Sequence, residues 1–234
     1  MPACNGAFVA HVSRKRVTGI LLAGGKSTRM GRDKALIDFG GAPLIAWCAA
    51  ALAECAPTLI VSSSSAAHAQ ACERALANAW PRFTVLRGVR VETVLDGEGA
   101  QGPLAGFLAA LEETSTESAV LSACDTPLAP ATLYRRELAL LAEFEAVAPA
   151  LDSPEPLLSA WRAEPARRLA RTLAADGRGP RALLEGLRAR LVDGAELAAW
   201  GIDGALLASA NTPEALGQLE DRAKALQEGT KRLT

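Results

Sequence analysis

The sequence has few of the residues that support zinc or disulfide chemistry. It contains only two histidines, His11 and His68, so an HExxH zinc site is excluded, and no motif supports either histidine in a Ser-His-Asp triad. None of the five cysteines forms a CxxC pair. Cys48 and Cys55 lie seven apart in an apolar helical pattern, which is typical of buried small side chains. An odd number of unpaired cysteines favours a reducing cytoplasm.

The sequence also lacks long apolar runs and a large net charge. No run approaches the roughly 18 residues of a membrane-spanning helix, and the first 16 residues have no apolar centre typical of a signal peptide. The formal net charge is −1, with half of the residues apolar, so nothing global favours nucleic acid or a membrane as partner. We expect a cytoplasmic protein with a disordered N-terminal tail over 1–16 and a single domain over 17–229.

Strand-like and helix-like segments alternate along the chain. Strands are predicted at 17–22, 58–61, within 83–95 and at 118–124, and then in "EAVAPA", "PLLSAW" and "GALLASA". Helices are predicted at 43–55, 66–80, 103–114, 130–144, 163–175, 180–190 and 212–229, with Thr212 as the N-cap of the last. This order predicts an α/β fold: a Rossmann-like three-layer α/β/α sandwich with a mostly parallel central sheet. Sites in such sheets lie beyond the carboxyl ends of the strands, here in the loops after Leu22, Val61, Leu95 and Cys124.

The first of these loops, "LLAGGKSTRMGRDK" (21–34), has four basic side chains and one acidic side chain. It is not a P-loop, because the GxxxxGK[ST] spacing would need a glycine where Ile20 stands. Gly24 and Gly25 nevertheless permit close backbone approach to an anion. Arg29 can bind two phosphate oxygens through two parallel hydrogen bonds, and Lys26 and Lys34 can act as point charges.

The third and fourth loops contain acidic residues at the ends of strands. "GEGAQG" (97–102) matches GxGxxG, but it is not in the first βα turn and lacks the matching acid. A glycine-rich lid over a base or ribose, with Asp96 as acceptor, suits this composition better. Asp125 follows a buried strand, where a lone carboxylate can hold Mg²⁺ together with phosphate oxygens. Together the loops predict a nucleoside triphosphate site for phosphoryl or nucleotidyl transfer.

Five segments in the same order resemble the molybdenum cofactor guanylyltransferases of the nucleotidyltransferase superfamily. They are "LLAGGKSTRMGRDKAL", "GPLAGFLAAL", "CDTP", "PLLSAW" and "NTPEAL", and the resemblance covers about residues 17–220. It implies a nucleotidyltransferase-type fold and Mg²⁺-dependent transfer of GMP from GTP to molybdopterin-bound molybdenum, with release of diphosphate. It also implies GTP and the molybdopterin cofactor as partners, and molybdoenzymes or their chaperones as further partners.

The resemblance implies roles for individual residues of this chain. Arg29, Lys34 and Asp125 would be catalytic, with Asp125 as the metal ligand, and Asn211 and Pro213 would lie on the acceptor side. The nucleotide-binding set would be Leu22, Ala23, Gly24, Gly25, Lys26, Arg29, Lys34, Ser62, Asp96, Gly102, Pro103 and Leu104. Arg32 and Asp33 are left out of the site.

The chain departs from the family pattern at a few positions. Ser62 stands where asparagine is frequent, and Glu155 precedes Pro156 where histidine is frequent. These departures leave two alternatives open. One is a related nucleotidyltransferase, which acts by cytidylyl transfer to the same cofactor or on a sugar phosphate. The other is a non-catalytic protein that binds the nucleotide or molybdopterin.

Overall fold

A computed structural model describes residues 13–24, 33–96 and 102–231, with side chains up to residue 226. Most of the predicted N-terminal tail therefore lies outside the described residues. Its last part, Arg14–Arg16, forms a turn of 3-10 helix, and Arg14 donates a hydrogen bond to the carbonyl of Ala53.

A central sheet organises the part of the chain that the structure describes. Its strands in chain order are β1 (Val17–Leu22), β4 (Thr58–Ser63), β5 (Arg90–Leu95), β6 (Ser118–Ala123), β7 (Ala146–Pro149), β8 (Leu158–Arg162) and β9 (Ala189–Val192); β2 (Asp38–Phe39) and β3 (Ala42–Pro43) form a separate hairpin. The order in the sheet is β5-β4-β1-β6-β8-β7-β9. Only β8 runs antiparallel to its neighbours within this sheet, so the mostly parallel sheet is confirmed.

Helices cover both faces of this sheet. They are α1 (Leu44–Ala53), α2 (Ala66–Ala79), α3 (Pro103–Glu113), α4 (Ala131–Leu140), α5 (Ala163–Ala175), α6 (Pro180–Gly186), α7 (Gly194–Ala199) and α8 (Pro213–Lys231). Alternate residues of β1 enter different cores: Leu21 joins the cluster with α1, α2 and α4, whereas Ile20 joins the cluster with α3, α5 and α6. Because the side chains of a strand alternate between its faces, covering both faces buries all six residues of β1, including Thr18, whose hydroxyl forms a hydrogen bond with that of Thr116. The predicted three-layer arrangement is confirmed.

The predicted elements were wrong in several places. The helix predicted at 130–144 ends at Leu140. "GALLASA" is not a strand, because Asp203 accepts a hydrogen bond from the Ala205 amide and begins a 3-10 helix over Gly204–Leu207. The helix predicted at 180–190 ends at Gly186, and β9 follows it because it pairs in parallel with β7. The helix predicted at 43–55 starts one residue later, because Pro43 belongs to the hairpin. Short apolar runs fit both the helix and the strand periodicity, and a capping residue or long-range pairing decides between them.

The four cysteines among the described residues behave as the sequence predicted. Cys48, Cys55, Cys72 and Cys124 are free and buried. Burial raises the pKa of the Cys48 thiol to about 12, so this thiol stays protonated and acts as a small apolar group. In the same described part of the chain, no helix combines the length and the hydropathy that crossing a membrane requires.

Candidate functional site

The carboxyl ends of four parallel strands meet at one edge of the sheet. The register places Leu22 beside Ser62 on one side and beside Ala123 on the other. Ser63 lies beside Leu95 at the end of the next strand pair. The loops after β1, β4, β5 and β6 therefore start next to one another at the carboxyl ends of the strands, where the sequence predicted the site. Most of the predicted site residues that the structure describes lie in or next to these loops.

Lys34, Asp125 and Asn211 come together at this edge from distant parts of the chain. Lys34 Nζ lies 3.5 Å from Asp125 Oδ2, and it also donates a hydrogen bond to Asn211 Oδ1. The backbone holds the last two segments together, because the Ala210 amide donates to the Asp125 carbonyl at 2.7 Å. Pro213 is exposed in the first turn of α8, next to Asn211 in sequence. The structure thus connects the predicted metal ligand, a predicted phosphate contact and the predicted acceptor segment.

A second group of residues surrounds the carboxylate of Asp96. Ser62, which is buried, donates its hydroxyl hydrogen to Asp96 Oδ1, and the Ser62 carbonyl accepts hydrogen bonds from the Ala23 and Gly24 amides at 3.0 and 3.1 Å. A Cβ at Gly24 would lie 2.5 Å from Asp96 Oδ2. A Cβ at Gly106 would overlap the Ser62 hydroxyl and lie 2.8 Å from Asp96 Oδ1. The two glycines are therefore needed for the close approach of β1 and α3 to Asp96.

The remaining predicted nucleotide-binding residues differ in their exposure to solvent. Gly102 and Pro103 are exposed at the start of α3, where Gly102 has φ +87 and Pro103 occupies the first turn. Leu22 and Leu104 are buried in the core. The side chains of these two leucines are therefore not available to a ligand.

Some predicted site residues cannot be placed. Gly25, Lys26 and Arg29 lie outside the described residues, and so does most of the GxGxxG segment (97–101). Their roles remain predictions.

The structure links His68 to two residues that the sequence did not connect with it. His68 Nε2 lies 2.6 Å from Asp33 Oδ2, and His68 Nδ1 lies 2.6 Å from Ser63 Oγ. This order resembles a Ser-His-Asp triad, but Ser63 has an exposed fraction of 0% and cannot reach a substrate. Asp33 is distant from His68 in the chain, and Ser63, five residues before His68, shares no motif with it, so no sequence signal pointed to these contacts.

The acidic groups at this edge suit a cation that is shared with phosphate. Among the described residues no group of three or more histidine, cysteine or acidic side chains is placed to hold a metal ion. Mg²⁺ is commonly held by one or two carboxylates, with waters and phosphate oxygens completing its shell, so the single carboxylate of Asp125 fits such a site. Glu155 lies close enough to Asp125 for the two charges to interact. Burial raises the pKa of Glu155, Arg181 opposes this rise, and Asp125 adds to it.

Comparison with known proteins identifies the family. The family described as "MobA-like NTP transferase domain" matches residues 19–193. A protein of Rhodobacter capsulatus named molybdenum cofactor guanylyltransferase is 34% identical over 89% of this chain and 97% of its own length. A relative of the same name from Methylibium petroleiphilum is 32% identical over 89% of this chain and 98% of its own length.

Solved structures agree at the level of the fold. The crystal structure of molybdopterin-guanine dinucleotide biosynthesis protein A from Archaeoglobus fulgidus superposes with a TM-score of 0.64 at 23% identity, covering 89% of this chain and 99% of that one. Because the family model matches residues 19–193, well over half of its length, this chain belongs to the MobA-like NTP transferase domain family.

Proposed function

We propose that this protein transfers GMP from GTP to molybdopterin-bound molybdenum, giving the guanine dinucleotide form of the cofactor and diphosphate. Membership of the MobA-like family and full-length relatives named molybdenum cofactor guanylyltransferase support this proposal. The observation that carries it is the meeting of Lys34, Asp125 and Asn211 at the edge where Gly24 and Asp96 lie together.

The proposed reaction is a single in-line displacement. An oxygen of the terminal phosphate of molybdopterin attacks the α-phosphorus of GTP, and a new phosphoanhydride bond forms. The bond between the α-phosphorus and the bridging oxygen breaks, and diphosphate leaves with that oxygen and its electron pair. The attacking phosphate is already ionised at neutral pH, so no side chain has to remove a proton. Catalysis then depends on positioning and on charge neutralisation.

Each group of the site has a part in this step. Gly24 and Asp96 hold the nucleoside, because the glycine backbone approaches closely and the carboxylate accepts hydrogen bonds. Lys34 neutralises negative charge on the phosphates next to Asn211, on the acceptor side. Asp125 would hold Mg²⁺, which would supply further positive charge at the phosphate oxygens. Arg29, outside the described residues, stays in the proposal as a second phosphate contact.

The cellular setting of the reaction is part of the same proposal. We place the protein in the cytoplasm, and the free, buried state of Cys48, Cys55, Cys72 and Cys124 supports a reducing compartment. The product cofactor would pass to molybdoenzymes or to their chaperones.

Diphosphate release in the presence of GTP, Mg²⁺ and molybdopterin-bound molybdenum tests the proposal. The wild type should release diphosphate, and Asp125→Ala should abolish release that depends on Mg²⁺. Asp221→Ala is a matched control, because Asp221 is exposed on α8 and pairs only with its helix neighbour Lys224 among the described residues. Near-normal turnover of Asp125→Ala would overturn the metal assignment.

A nucleotide panel separates the alternatives. Thermal shifts with GTP, CTP, ATP and UTP should be largest with GTP. A larger shift with CTP would favour a cytidylyltransferase. GTP binding without diphosphate release from the natural acceptor would favour a non-catalytic binding protein.

A further inference from the structure

A hydrogen-bonded connection, Asp33–His68–Ser63, lies beside the site. None of its three residues is a proposed ligand contact. His68 Nε2 is 2.6 Å from Asp33 Oδ2, and His68 Nδ1 is 2.6 Å from Ser63 Oγ. The His68 side chain is 11% exposed and the Asp33 side chain 37%, so the histidine end of this contact is shielded from water. A shielded, charge-assisted hydrogen bond is stronger than an exposed one.

The connection joins the two halves of the site. At one end, Asp33 immediately precedes Lys34, and its other oxygen, Oδ1, accepts a hydrogen bond from the Ala35 amide at 3.1 Å. Both oxygens of Asp33 are therefore engaged, which fixes the backbone on both sides of Lys34. At the other end, the Ser63 carbonyl accepts a hydrogen bond from the Asp96 amide at 2.9 Å. Lys34 and Asp96 are thus tied to one histidine through one residue each.

Both ring nitrogens of His68 are occupied whichever way the ring is protonated. An ionised carboxylate can only accept, so Nε2 carries the hydrogen that goes to Asp33. In the neutral ring Nδ1 accepts from the Ser63 hydroxyl. In the charged ring Nδ1 donates to Ser63 Oγ, and the Ser63 hydrogen can turn to the Ser65 carbonyl at 3.4 Å. This makes His68 an anchor and leaves it no free nitrogen with which to act as a general base.

From this geometry we propose that His68 is a positioning residue for nucleotide transfer: it holds Asp33 and thereby sets the place of Lys34 relative to Asp125. The inference rests on the proposed function, because it assigns His68 a part in the same reaction. A positively charged group has to meet the phosphates within a fraction of an ångström to be effective, and small displacements are costly in rate. His68 acts through Lys34 and touches no substrate itself.

The test is a double-mutant cycle between His68 and Lys34. His68→Ala should lower kcat/KM for GTP on the order of 10- to 10²-fold in the wild-type background. In a Lys34→Ala background the same change should cost little more, since the group that His68 positions is already missing. A purely structural role would give the same loss in both backgrounds, and that result would overturn the inference.

Two further variants separate the hydrogen bond from the bulk of the ring. His68→Gln should recover most of the lost kcat/KM, because the glutamine amide can still donate to Asp33. Gln70→Ala is the matched control: Gln70 is exposed on the same helix, two residues further on, and its removal should leave kcat/KM unchanged. Failure of His68→Gln to recover more activity than His68→Ala would also count against the inference.

Binding of GTP, measured by calorimetry without any acceptor, separates failure of the inference from failure of the proposed function. His68→Ala should raise the Kd for GTP in the presence of Mg²⁺ in the wild-type background and much less in the Lys34→Ala background. Absence of diphosphate release from a wild type that binds GTP would overturn the proposed function alone. Equal changes of Kd in the two backgrounds would overturn the role of His68, whatever the acceptor is. A wild type that does not bind GTP would overturn both.

Discussion

A methyl group at Gly106 would enter the space between Ser62 and Asp96. Gly106 is buried in the first part of α3, and its Cβ would overlap the Ser62 hydroxyl and lie 2.8 Å from Asp96 Oδ1. Gly106→Ala should therefore displace one or both side chains and break the hydrogen bond between them. In an unconstrained helix the same substitution would stabilise, because alanine is the better helix former.

Gly217 provides that unconstrained comparison. It lies inside α8, and a Cβ there would meet nothing within 4 Å among the described residues. Gly217→Ala should raise the free energy of unfolding by about 0.5–1 kcal/mol. At Gly106 the same gain is offset by overpacking, which costs about 1–3 kcal/mol. The difference between the two variants should thus be about 1–3 kcal/mol.

Losing the charge-assisted hydrogen bond to Asp96, worth about 1.5–3 kcal/mol, should weaken GTP binding by about 10- to 10²-fold.

Urea unfolding of both variants and calorimetric titration with GTP measure these quantities. The wild type is the reference for both, and Gly217→Ala should bind GTP as the wild type does. If Gly106→Ala is as stable as Gly217→Ala and binds GTP with the wild-type Kd, the close packing around Asp96 is not what holds the nucleoside.

Three further changes test other parts of the molecule. Lys34→Ala should lower the rate of diphosphate release on the order of 10²–10³-fold with little change in melting temperature; a loss below threefold would contradict its role beside Asp125. Ser62→Ala leaves Asp96 Oδ1 without its donor and should raise the Kd for GTP by about 10-fold or more, whereas an unchanged Kd would show that Asp96 needs no such support. Glu137 has an exposed fraction of 0%, neither of its carboxyl oxygens has a partner among the described residues, and burial raises its pKa well above the ordinary value. Below the ordinary pKa, Glu137 is protonated in both the folded and the unfolded state. As the pH rises above the ordinary pKa towards the raised one, the unfolded state gains by ionising while the folded state does not, so the wild type loses stability. Glu137→Met should therefore be more stable than the wild type by about 1–3 kcal/mol at pH 8 and by less at pH 5. Chemical denaturation at both pH values checks this, and an advantage that does not grow with pH would refute it.

Much of the fold follows from the sequence because its cause is local or periodic. The sequence predicts β1 as a strand buried on both faces, because a run of only six largely apolar residues before a glycine-rich loop is too short for a typical helix. α3 begins where Gly102 and Pro103 predict, and Thr212 caps α8 through the Ala215 amide. The strand-helix alternation then required a sheet covered on both faces, with its loops at one edge.

The failures have a common physical reason. "GALLASA" and the end of the 180–190 segment are short and apolar, so their local preferences are nearly balanced. β9 exists because β7 offers it a partner, and the turn at Gly204 exists because Asp203 caps it. The Asp203 cap is a local signal that the apolar pattern outweighed, whereas the pairing of β9 with β7 cannot be inferred from the residues around β9.

The sequence by itself determined the chemical character of the site: cations and glycines after β1, and the carboxylates Asp96 and Asp125 after later strands. These follow from residue type and from position at a strand end. Only the tertiary structure decided that Lys34 lies between Asp125 and Asn211 and that His68 is anchored to Asp33. Contacts between residues this far apart in the chain depend on how the strands are ordered and how the loops fold over them, which no local pattern encodes.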